Sequence, residues 1–73
     1  YDTVQEQIAC IVSSIIKNHY FIDGNKRTAL FVYLILCVGN DIQITYTSQQ
    51  LAMIIVDIAT HKFDVEYSVS LLF

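Results

Sequence analysis

The sequence predicts an all-α fold, a helical bundle of about four helices, and three observations carry that reading. Apolar residues recur at the helical period in three separate stretches, Thr-x-x-Glu and Thr-x-x-Gln pairs stand where two of those stretches begin, and the 73 residues contain no proline. Apolar residues three and four positions apart line one face of a helix lying on a core. A Thr three residues ahead of Glu or Gln is a reciprocal N-terminal cap, each side chain satisfying the other's backbone N–H.

The first helix is predicted over Thr3–Asn18, opened by the Thr3/Glu6 box, with Val4, Ile8, Ile11, Val12 and Ile15 as its inward stripe. Gln5, Glu6, Gln7, Ser13, Ser14 and Lys17 fall off that stripe, as does Cys10. The second helix is predicted over Asn25–Val38. Its ten residues from Ala29 to Val38 are apolar without a break, the pattern of a helix surrounded by others. Gly39 and Asn40 supply a left-handed stop. Ile42, Ile44 and Tyr46 alternate, so 42–46 reads as extended but is too short to dictate a sheet. Thr47 and Gln50 cap a third helix over Ser48–Thr60 with the stripe Leu51, Ile54, Ile55 and Ile58. A fourth helix starts after Asp64 and turns Val65, Val69 and Leu72 inward.

Composition narrows the function classes. The net charge is −3, and only four residues are Lys or Arg, which argues against nucleic acid as a direct partner because phosphate-backbone binding needs clustered cations. No run reaches the ~18 consecutive apolar residues of a membrane span. Cys10 and Cys37 lack metal-ligand or redox spacing and fit reduced thiols in a cytoplasmic protein. With 55% hydrophobic residues, a chain this short holds more apolar material than one small core can hide. It opens on Tyr1 rather than Met. The expectation is a single domain over 1–73 that forms part of a larger one, or that packs on a further copy or a partner.

One stretch breaks the local rules. His19–Arg27 reads HYFIDGNKR, so Lys26 and Arg27 stand in the first turn of the second helix, where the helix dipole is already positive. Free N–H groups at a helix start bind anions, and Gly24 lets the backbone approach a ligand closely. With phosphate oxygens between them and the dipole, the two cations become favourable. Asp23 supplies a carboxylate suited to Mg²⁺ on those oxygens, His19 can take a proton near neutral pH, and Asn25 can cap the helix or donate to a phosphate. Phe21 lies between polar positions and is expected to anchor the loop by turning its ring into the core. Singly, these residues have ordinary uses: a helix-end His, two solvated cations, a turn glycine. As one set they supply a base, a metal ligand, an N–H cradle and cations, which is what phosphoryl transfer requires. His61, beside Lys62 at the end of the third helix, complements the dipole there and is assigned no chemistry.

At these residues the chain resembles the Fic/Doc superfamily, whose signature H-x-F-x-D/E-G-N-G/K-R lies between two helices. Here it stands as His19, Phe21, Asp23, Gly24, Asn25, Lys26 and Arg27; Tyr20 replaces the Pro that many members carry. The resemblance implies a Fic-fold core with about four of its helices present. It makes His19 the general base toward a hydroxyl, Asp23 the Mg²⁺ ligand, and Phe21, Gly24, Asn25, Lys26 and Arg27 the nucleotide-binding set. Most Fic enzymes have Gly at the position of Lys26 and transfer AMP from ATP. Doc-type members have Lys there, which reverses the nucleotide so that the γ-phosphoryl group moves instead. Leu30 stands where AMP-transferring members often carry a second Arg. Doc itself has Ala at the position of Gly24. The implied activity is phosphoryl transfer from ATP or another nucleoside triphosphate to a Ser or Thr hydroxyl of a target protein, in a toxin-type regulator held by an antitoxin. The alternatives are AMP transfer, or a catalytically incomplete domain that binds a partner.

Overall fold

A computed structural model describes residues 2–17 and 25–73, residues 25 and 26 by their backbone alone. Among them lie four helices, α1 (Val4–Lys17), α2 (Asn25–Gly39), α3 (Ser48–Thr60) and α4 (Val65–Leu72), and no strand. The fold is all-α, as the sequence predicts.

Each start has a local cause. The Thr3 hydroxyl accepts from the Glu6 N–H at 3.1 Å while the Glu6 carboxylate takes the Thr3 N–H at 3.2 Å. The Thr47/Gln50 box closes in the same way, at 3.2 and 2.8 Å. Asp64 caps α4 by accepting from the Tyr67 N–H. The end of α2 differs from expectation. Gly39 is still helical, and Asp41 is the residue with positive φ, at 57°. The Ile42 N–H reaches back to the Cys37 carbonyl at 2.8 Å and the Asp41 N–H to the Val38 carbonyl at 3.2 Å. That is a Schellman closure with an Asp at the left-handed position, one of the few residues besides Gly that tolerate it. Beyond it, residues 42–46 form no strand. Their alternation survives as burial, with Ile42, Ile44 and Tyr46 half-buried and Gln43 and Thr45 exposed.

The centre of the bundle is α1, which like α3 packs against all three other helices and does so most extensively, and not α2. Its buried face is Ile8, Ala9, Val12, Ser13 and Ile16, rotated by about one position from the predicted stripe, so that Val4 and Ile11 are exposed. Small Ala9 and Ser13 let neighbours approach closely. Ser13, expected on the polar side, is buried with a partner: its Oγ lies 2.7 Å from the Ser68 Oγ. Because the Ser68 hydroxyl donates to the Asp64 carbonyl, Ser13 is the donor in that pair. A buried hydroxyl is thus satisfied across the α1–α4 contact.

The α3 stripe is as predicted, with Leu51, Ile55 and Ile58 buried and Ile54 half-buried. Burying one such side chain contributes about 2 kcal/mol. On α4, Val65 and Leu72 turn inward with Ser68, and Val69 is half-buried. On α2, Ala29, Tyr33 and Cys37 face the core, whereas Phe31, Ile35 and Val38 are 59%, 66% and 72% exposed. The expectation of a surrounded α2 holds on one side only. Both cysteines are free, Cys37 buried and Cys10 half-buried.

Candidate functional site

The structure starts α2 at Asn25, so the backbones of Asn25 and Lys26 and the whole of Arg27 belong to its first turn. His19, Phe21, Asp23 and Gly24 lie outside the described residues, and the expectations placed on them stand as sequence readings. No acidic residue stands in the first turn of α2, whereas α1 has Glu6 and α4 has Glu66 at that place. The positive end of the α2 dipole therefore meets cations with no carboxylate of its own turn to offset them. Arg27 is exposed and finds no hydrogen-bond or ion-pair partner among the described residues.

Arg27 lies at one end of a groove between α2 and α3, about 250 Å³ in volume, whose other walls are Leu30, Ala52, Ile55 and Val56. A guanidinium at the rim of an apolar groove keeps its charge available while its stem packs on carbon. Ala52 and Val56 were missed as part of this wall. They are apolar yet off the α3 core stripe, and that mismatch was the available signal. Among the described residues no group of three or more His, Cys, Asp or Glu could hold a metal ion, so the Mg²⁺ expectation rests on Asp23.

Elsewhere Tyr33, Lys17 and His61 are tied into the fold. The Tyr33 hydroxyl donates to the Leu72 carbonyl at 2.8 Å, and its ring meets Phe73 with centroids 5.8 Å apart. Burial pushes Tyr33 well above the usual tyrosine range, aided by neighbouring Cys37, and burial likewise raises the Cys37 thiol. At the end of α3 the dipole is complemented by Lys17 rather than Lys62: its ammonium donates to the Ala59 carbonyl at 3.0 Å and to the His61 carbonyl. His61 instead stacks on Tyr67 at a centroid distance of 3.7 Å.

Two packed helices, the second opening on Lys26 and Arg27, define the described part of this region as an all-α scaffold. The chain belongs to the Fic/DOC family, whose family model matches residues 1–37, that is α1, the loop and most of α2. Neither the curated proteins nor the solved structures give a match. No described helix is long and apolar enough to cross a membrane.

Proposed function

We propose that the chain is a Doc-like Fic domain that transfers the γ-phosphoryl group of ATP, or a similar nucleoside triphosphate, to a Ser or Thr hydroxyl of a target protein. The observation that carries this reading is the first turn of α2: Arg27 exposed there and without a partner among the described residues, Lys26 beside it in the chain, no acid in the turn, and the family signature running into it from His19. In this reading His19 removes the proton from the target hydroxyl. That oxygen forms a bond to the γ-phosphorus as the bond from phosphorus to the β–γ bridging oxygen breaks, leaving the nucleoside diphosphate. Arg27, the α2 N–H groups, Gly24 and Asn25 hold and neutralise the phosphates, and Phe21 fixes the loop. Mg²⁺, held by Asp23, supplies charge neutralisation on the phosphate oxygens. Lys26 and Leu30 favour phosphoryl over AMP transfer. Control of the protein by an antitoxin-like partner in the cytoplasm belongs to the same reading.

The test is incubation with ATP, Mg²⁺ and candidate target proteins, followed by intact-mass measurement of the product. A phosphoryl adduct is expected, lost in His19→Ala; an AMP adduct would replace this reading with nucleotidyl transfer. A second reading, a partner-binding domain without catalysis and forming part of a larger fold or oligomer, is favoured by the exposed stripe Phe31, Ile35 and Val38. Calorimetry with ATP and Mg²⁺ separates the two, since folded chain that takes up no nucleotide would support the second.

A further inference from the structure

Charge is divided unevenly along the chain. Residues 1–40 hold three carboxylates (Asp2, Glu6, Asp23) and three cations (Lys17, Lys26, Arg27), whereas residues 41–73 hold four carboxylates (Asp41, Asp57, Asp64, Glu66) and one lysine, Lys62. The whole net charge of −3 therefore sits in the second half. A cavity of about 360 Å³ opens there between the 42–46 segment and α3, lined by Tyr46, Gln50, Met53, Ile54 and Asp57. It shares no lining residue with the groove at Arg27.

The one ionisable carboxylate on its wall is held in place. Asp57 Oδ1 accepts the Tyr67 hydroxyl at 2.6 Å. The Tyr67 ring is stacked on His61 with planes 11° apart, and His61 Nδ1 lies 2.9 Å from the Lys62 carbonyl. Asp57 Oδ2 has no partner among the described residues. Gln50 has its carbonyl oxygen committed to the Thr47 N–H, so what it offers the cavity is its N–H₂ group. Met53, 73% exposed, and Ile54 supply apolar walls, and Tyr46 an aromatic ring.

We infer that this cavity receives an arginine side chain of a basic partner polypeptide. The guanidinium pairs with Asp57 Oδ2 and lies against the Tyr46 ring, its alkyl stem packs on Met53 and Ile54, and Gln50 donates to a backbone carbonyl of the partner. Arginine fits better than lysine because its planar group can stack and hydrogen-bond at once. The charge complementarity at the cavity itself comes from Asp57, its one carboxylate, with no Lys or Arg in its lining. The inference does not depend on nucleotide binding at α2.

The test is an NMR titration of the full chain with N-acetyl-arginine methylamide, against N-acetyl-citrulline methylamide as the uncharged isostere. Saturable shifts are expected at Tyr46, Gln50, Met53 and Ile54, with a dissociation constant on the order of millimolar for a single side chain. Asp57→Asn, which keeps an acceptor for Tyr67, should weaken binding about threefold, and added salt should weaken it in the unaltered chain. The salt series needs no variant and decides the matter even if Asp57→Asn folds poorly. An equal response to citrulline, insensitivity to salt, or no shift at these four residues would overturn the inference.

Discussion

Helices α2 and α3 pack side by side and are of similar length, 15 and 13 residues, yet they follow different rules. At α3 both ends and the core face favour folding, with a capping box at its start, Lys17 on its last carbonyls and a buried apolar stripe, while Met53 and Val56 stand exposed on its outer side. At α2 the end is closed as firmly by the Schellman turn at Asp41. Its start places cations against the dipole, and its outer face leaves Phe31, Ile35 and Val38 in solvent. A helix that departs from folding rules at its opening and along one face, while obeying them elsewhere, is shaped by what it contacts outside its own core. The difference lies at the helix starts: α3 opens on a capping box, and α2 opens on cations that no acid of its own first turn offsets.

The sharpest way to break that comparison is one substitution made in both helices. Ile55→Ala in α3 removes a side chain only 3% exposed and should cost about 3 kcal/mol, the transfer term plus the cavity left behind. Ile35→Ala in α2, at 66% exposure, should change stability by no more than about 0.5 kcal/mol. A domain of this length has of order 5 kcal/mol to lose, so chemical denaturation distinguishes the two readily. Equal costs would mean that the outer face of α2 is buried in solution, by a second copy for example, and a concentration-dependent transition midpoint would reveal it.

Much of this fold was legible because its signals are local. Thr47 with Gln50, and Thr3 with Glu6, state where helices begin, and Leu51, Ile55 and Ile58 state which way α3 faces. What stayed hidden depends on neighbours. Ser13 reads as a surface residue until Ser68, 55 positions away, supplies the acceptor that makes its burial affordable. The α1 stripe was misread by one position for the same reason, since small Ala9 and Ser13 are chosen by close packing rather than by hydrophobicity. The left-handed residue after α2 was assigned to Gly39 and Asn40 because glycine is the usual occupant, whereas Asp41 holds the conformation. Of the candidate site, the start of α2 at Asn25 agrees with the sequence, and Arg27 is exposed in its first turn. The residues meant to do chemistry beside it, His19 and Asp23, lie outside the described ones.

A smaller effect probes where α2 does serve the core. Tyr33→Phe removes the donor to the Leu72 carbonyl, one of the last carbonyls of α4 and without a helical partner. It should cost about 1.5 kcal/mol near neutral pH. The same site makes the fold sensitive to alkali. Tyr33 and Cys37 titrate from 10.0 and 9.0 in the unfolded chain and are both raised in the folded one, Tyr33 first by burial and then by Cys37, and Cys37 by burial. Stability from these groups is therefore fully present below about pH 9. It falls as pH rises further, because the unfolded chain then binds fewer protons than the native one. A thermal-melting series across that range should show the decline, and Tyr33→Phe with Cys37→Ala should flatten it. A decline of unchanged steepness in the double variant would assign the effect to other groups.

The smallest change in stability tests the largest claim about function. Arg27→Glu places a carboxylate in the first turn of α2, where Glu6 and Glu66 already stand in α1 and α4. Since Arg27 is exposed and has no partner among the described residues, the exchange removes no hydrogen bond or ion pair among them and gives up only its packing at the groove. It converts an unfavourable interaction with the dipole into a favourable one, a gain of about 0.5 kcal/mol. If the start of α2 exists for folding, the variant is simply a slightly better helix. If it exists for an anion, the same carboxylate repels the nucleotide's phosphates, and ATP binding measured by calorimetry should disappear while the melting temperature rises by a few degrees. A variant that is more stable and still binds ATP would remove Arg27 from the site. One that is less stable would show that the guanidinium serves the fold through its stem along Leu30 and Val56, and the contrast between α2 and α3 would then shrink to the exposed face alone.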